Sequence, residues 1–159
     1  DSLAHTSVSR ECEVQYMSAG SGVTHSEYNA SVKDSLNLLQ IWIFPKTKNT
    51  SPVYNQINLE GKREQNKIQT IVSPAGGENI IGIGQDAWLS LLSAGEGKEF
   101  TYRINKPGNG VFLFIIEGEI KTGNHLASRR DSMEIWGTEV LSFNTPVKSE
   151  ILIIEVPEN

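Results

Sequence analysis

His25 and Glu27 stand two places apart in GSGVTHSEYN, residues 20–29, behind a glycine-rich turn. In an extended segment residues i and i+2 point the same way. The imidazole and the carboxylate then share one side, while Thr24, Ser26 and Tyr28 take the other. A nitrogen and an oxygen donor so placed suit a divalent transition metal: Fe, Mn, Co, Ni, Cu or Zn, with geometry rather than ligand type deciding among them. Two donors do not complete such a site, which takes at least one more protein ligand. H-x-E is also short, and the same pair reads as the polar end of a loop. His5, near the start, and His125, in TGNHLASRRD, are weaker candidates, because a lone histidine at a chain start or turn is usually solvated or hydrogen-bonded. The glycine stretches AGSGV and GGENIIGIG lack the G-K-[ST] ending of a phosphate loop, so nothing supports ATP or NAD.

The elements that must position these residues read as strands. Short apolar or alternating runs recur between Gly, Pro, Asn and Asp turns, and few segments carry helical periodicity. CEVQYM puts Cys12, Val14 and Tyr16 on one face. LNLLQIWIF, residues 36–44, is apolar on nearly both faces and predicts a central strand covered on two sides, ended by Pro45. From Lys46 to Lys67 the chain turns polar and predicts a surface connection between two units. Beyond it, 68–72, 78–84, 87–95 and 99–104 read as strands, PGNG at 107–110 as a tight turn, and VFLFIIEGEIKTG, VLSFN and EILIIEV as later strands. Glu117 and Glu119 flank Gly118 in what reads as a solvated hairpin turn. Trp42, Trp88 and Trp136 read as core or interface anchors. Many short strands at this spacing fit an all-β sandwich or barrel.

Composition excludes several classes. Nineteen acidic residues against 14 Lys plus Arg, with no basic block, argue against a nucleic-acid partner. The longest apolar runs fall far short of the roughly 20 residues of a membrane-spanning helix. Cys12 is the sole cysteine, so there is no intrachain disulfide and no cysteine cluster for zinc, which fits a reducing, cytoplasmic setting. The sequence opens DSLAHTSVSRECEVQYM, without an initiator methionine or a hydrophobic signal segment, and reads as a processed product or a piece of a longer chain.

Read with its flanks, YMSAGSGVTHSEYN followed by LNLLQIWIFP resembles the second metal motif and following strand of the pirin family, within the cupin superfamily. It is most similar to the bacterial pirin-like proteins, some described as quercetin 2,3-dioxygenases. Gly22, His25 and Asn29 match the end of the cupin motif G-x-x-H-x-x-x-N, with Gly20 where many cupins have proline. The resemblance implies an all-β cupin double-stranded β-helix (jelly roll) and a bicupin with an incomplete first barrel. Residues 1–45 would be the C-terminal part of the first, metal-type cupin, 46–67 a linker, and 68–159 a second, metal-free cupin.

In such a family one metal is held by three histidines and a glutamate, of which His25 and Glu27 match the third histidine and the glutamate. The other two come from an H-x-H pair on an earlier strand, and no H-x-H occurs in these 159 residues. Where a metal-binding second cupin would show that pair, the chain has Val111, Phe112, Leu113 and Phe114. The implied activity is oxygen insertion across the 2,3 bond of a flavonol with release of carbon monoxide. Glu27 would be a ligand or the base that removes the flavonol proton, and Tyr16, Met17 and Tyr28 are candidate wall residues. With half its ligands, the chain as it stands is expected to bind metal weakly and to lack robust dioxygenase activity. The alternative is a non-enzymatic regulatory or interaction module that self-associates through uncovered strands.

Overall fold

The computed structural model describes residues 8–158. Every regular element among them is a strand, arranged in three sheets. Two strands, β1 (Glu13–Ser18) and β2 (Val53–Asn58), form an antiparallel pair from Glu13↔Asn58 to Ser18↔Val53. Six more strands make the largest sheet: β3 (Ile68–Ser73), β4 (Ile81–Gly82), β5 (Trp88–Ala94), β7 (Asn109–Glu117), β10 (Ser132–Ile135) and β12 (Ser149–Pro157). Their spatial order is β10-β7-β12-β5-β3-β4. The third sheet runs β6-β11-β8-β9 and comprises β6 (Lys98–Arg103), β8 (Glu119–Thr122), β9 (His125–Ser128) and β11 (Val140–Thr145). The two larger sheets pack face to face as an all-β jelly roll, with a second, smaller β unit packed on it.

Period-two side-chain alternation explains why the largest sheet can be covered on both faces. In β12, Ile151 and Ile153 point between the two large sheets and pack with Leu113, Ile115, Ile120, Leu141 and Phe143. Leu152 and Ile154 point outward and join Ile71, Val72, Ile81 and Leu89, against which Val14, Tyr16 and Ile57 of the β1–β2 pair pack. Strand β7 divides in the same way, Val111 and Leu113 inward and Phe112 and Phe114 outward. Each side chain so buried contributes about 1.5–3 kcal/mol, so the apolar quartet at 111–114 is committed to two cores.

Three expectations change. Residues 36–44 are not a strand and are not covered: Trp42 is 84% exposed, Phe44 82%, and Leu36 and Leu38 58% each. Only Ile43 reaches the outer core, because the β1–β2 pair already occupies that face and no described strand offers the run a hydrogen-bonding partner. The polar stretch 46–67 is more than a connection, since β2 lies within it and Leu59 just after β2 is buried. Gly118 is not a hairpin turn: β7 and β8 belong to different sheets, and Gly118 is the corner where the chain crosses between them.

One buried polar cluster sits between the large sheets. Glu155 is fully buried and accepts from the Tyr102 hydroxyl (2.8 Å), the Asn105 amide N–H (2.9 Å) and side chain (2.8 Å), the Lys106 amide N–H (3.0 Å) and the Asn109 side chain (2.9 Å). Burial, reinforced by the bond to Glu155 and its charge, pushes the Tyr102 hydroxyl far above the ordinary tyrosine range. An acid whose folded pKa is raised contributes stability that is fully present below its ordinary value of about 10 and lost as pH rises beyond it. We therefore expect Tyr102→Phe to cost about 1–2 kcal/mol at neutral pH. Its urea midpoint should also fall less steeply than the parent's above about pH 10. Equal slopes in the two proteins would contradict the assignment.

Candidate metal centre

His25 and Glu27 lie in an excursion, residues 19–52, that leaves the end of β1 and returns to the start of β2. Its neck is tight. Gly20 has a φ of 54°, and a Cβ there would overlap the Thr50 carbonyl, so the chain turns at this point only without a side chain. The Gly22 N–H closes the turn onto the Ala19 carbonyl at 2.8 Å. Beyond it residues 22–29 have no regular secondary structure and no strand pairing.

This backbone brings the two donors together. His25 Nε2 stands 4.0 Å from Glu27 Oε1, with side chains 36% and 47% exposed. Two ligands, each about 2.1 Å from a tetrahedral ion, lie roughly 3.4 Å apart, so a small side-chain rotation lets the pair share one cation. Asn29 does not point at the pair. Its side chain donates to the Asp34 carbonyl at 2.8 Å and accepts from the Ser31 N–H at 3.0 Å, which folds the turn that ends the motif.

The donor set among the described residues stops at two. Among the described residues no group of three or more His, Cys, Asp or Glu side chains could hold a metal ion. His125 lies on β9 rather than in a turn and lines an open cleft of about 480 Å³ with Leu126, Asp131 and Glu134. His5 falls outside the described residues. Of the candidate walls, Tyr16 packs into the outer core and Tyr28 is 86% exposed. Of the tryptophans, Trp88 is half-buried, while Trp136 lies against Gly110.

The residues with the richest polar partnerships, Glu155 and Asp86, were not singled out in the sequence. Glu155 shares its phase with the inward-facing Ile151 and Ile153, a signal that could have marked it as buried. No buried side-chain polar atom among the described residues lacks a partner, so the Glu155 cluster is a closed structural network and not an open ligand site.

Comparison with known proteins places both parts of the chain. Residues 70–156 match the family model described as quercetinase C-terminal cupin domain, and residues 1–43 the model described as pirin. A quercetin 2,3-dioxygenase of Escherichia coli (strain K12) is 29% identical over 145 residues, which cover 91% of this chain and 61% of that protein. A pirin-like protein of Caulobacter vibrioides is 26% identical over 144 residues, 90% of this chain and 61% of the relative. The crystal structure of the bacterial pirin YhhW from Escherichia coli, in complex with nickel(II), superposes with a TM-score of 0.85 at 28% identity, covering 93% of this chain and 62% of that one. The chain thus spans 61% of the length of these two relatives. Among the described residues, no helix is long and apolar enough to cross a membrane.

Proposed function

Since this chain belongs to the pirin family of the cupin superfamily, with a bicupin architecture closely related to the bacterial pirin-like quercetin dioxygenases, we propose that His25 and Glu27 are two protein ligands of a mononuclear divalent transition metal in a flavonol 2,3-dioxygenase-type centre. The observation that carries this reading is the pair itself, an imidazole and a carboxylate 4.0 Å apart on a segment without regular secondary structure. The nickel(II) of the related crystal structure supports it. The two residues fit a metal in type and spacing but supply only part of a coordination sphere. When bound, the metal would supply Lewis acidity toward the flavonol 3-oxygen and redox chemistry toward dioxygen. Glu27, half-exposed beside His25, would orient the flavonol hydroxyl and accept its proton.

The division into a first cupin (1–45) and a metal-free second cupin (68–159) belongs to this reading, with the β2 strand and Leu59 in the stretch between them, as does a cytoplasmic setting. The second cupin would shape and support, its H-x-H position being filled by the core residues Val111 and Leu113.

With two donors, the chain should bind metal weakly. Titration with nickel(II) is expected to broaden the His25 ring resonances well before those of His125. Glu27→Gln should weaken the apparent affinity by roughly tenfold, and dialysed protein should retain well under one ion per chain. Equal broadening at His125, or no effect of Glu27→Gln, would overturn the assignment.

A second reading, a non-enzymatic interaction module, draws on the exposed run Leu36, Leu38, Leu39, Ile41, Trp42 and Phe44. It requires self-association, and a chain that sediments as a monomer at high concentration would remove its support.

A further inference from the structure

Residues 44–46, at the far end of the apolar run, are fastened to the loop between β4 and β5. The Lys46 N–H donates to the Gly84 carbonyl at 2.9 Å. The Gln85 side chain donates to the Phe44 carbonyl at 2.7 Å. The ammonium groups of Lys46 and Lys106 each bind one of the two carboxylate oxygens of Asp86. Asp86 is only 15% exposed, whereas the two lysines are half-exposed, so the carboxylate is the sheltered centre and the cations its arms.

Two routes tie Asp86 to the buried Glu155. Asn109 bridges them, donating to the Asp86 carbonyl at 3.0 Å and to Glu155 Oε1 at 2.9 Å. Lys106 bridges them again, its amide N–H on Glu155 and its ammonium on Asp86. The corner that presents Lys106 is thereby set by the core of the jelly roll, and the excursion is attached to that corner.

We propose that Asp86 is the hub of an ionic latch that docks the excursion bearing His25 and Glu27 onto the second cupin, acting as a positioning residue between the two units. The latch stands whether or not His25 and Glu27 take a metal. Hydrogen bonds from Lys106 and then Lys46 hold the Asp86 carboxyl below its ordinary range, consistent with a carboxylate shared by two cations. The adjoining backbone bonds make Lys46 a local reporter, because its amide is protected only while residue 46 lies on Gly84.

The test is residue-by-residue amide hydrogen exchange on the intact chain. Asp86→Asn should accelerate exchange at the Lys46 amide by about threefold to tenfold, with the Ile151 and Ile153 amides of β12 unchanged. Lys46→Met, a change at a half-exposed side chain that keeps the chain folded, should do the same. Adding it to Asp86→Asn should produce no further acceleration, because both changes break one unit. Sodium chloride at high concentration should speed the Lys46 amide in the parent but not in Asp86→Asn. The proposal is overturned if the Lys46 amide is unmoved in both single variants, or if Ile151 and Ile153 accelerate equally, which would mark a general loss of stability.

Discussion

Replacing Glu155 with alanine is expected to lower stability by at least about 3 kcal/mol and the melting temperature by roughly 10 °C, although the residue is remote from His25 and Glu27 in sequence. Its two oxygens accept from Tyr102, Asn105, Lys106 and Asn109, all donors, and it is fully buried. The Lys106 ammonium is turned to Asp86 rather than to Glu155. Alanine would strand several donors in a space sealed between two sheets, and each stranded donor costs about 1–3 kcal/mol. Glutamine keeps the shape but places an amide N–H₂ among donors, so Glu155→Gln should fall between the parent and alanine. Chemical denaturation measures all three. A Glu155→Ala loss under about 1 kcal/mol would mean that the network re-pairs without its centre.

Gly118→Ala should cost about 3 kcal/mol, and the comparison with Gly123→Ala separates its two causes. Gly118 has a φ of 84°, which disfavours a side chain by about 1–2 kcal/mol. A Cβ there would also overlap the Lys148 carbonyl and Ser149 Oγ. Neither can retreat: Ser149 Oγ accepts from the Glu119 N–H at 2.9 Å and itself donates to a carbonyl, the bonds that fix the crossing between sheets. Crowding of this kind adds about 1–3 kcal/mol. Gly123 also has a positive φ, 56°, but nothing lies within 4 Å of its would-be Cβ. It should lose only the conformational part, about 1 kcal/mol. Equal losses at the two glycines would show that the corner yields.

Both predictions rest on features the sequence conveyed unevenly. The strands of the second cupin were legible because their apolar residues alternate or run continuously between turn residues. EILIIEV and VFLFII are the clearest, and both are covered on two faces. The same continuity misled at 36–44, where an apolar run was read as burial although coverage depends on partners that no local pattern encodes. Strand β2 was hidden by composition, because VYNQIN carries Asn at two exposed positions and a half-buried Gln between them, and resembles a loop until it is paired with β1. Gly118 looks alike in sequence whether the chain reverses within a sheet or crosses to another. His25 and Glu27 were legible as a pair because i, i+2 geometry is local. The Glu155 and Asp86 clusters were not, since each joins residues from strands and loops far apart in the chain.

The pairing of β1 with β2 across the whole excursion also sets an order of events during synthesis. β1 leaves the ribosome ahead of β2 by the length of residues 19–52, a delay of a few seconds at the usual rate of translation of about 5–20 residues per second. The outer face of the large sheet, on which both must settle, is completed only when β12 emerges near the end of the chain. Val14 and Tyr16 therefore wait uncovered, beside an apolar run that stays exposed even in the folded chain. Slowing translation between residues 19 and 52 would therefore lengthen the interval in which these apolar side chains lie open to water.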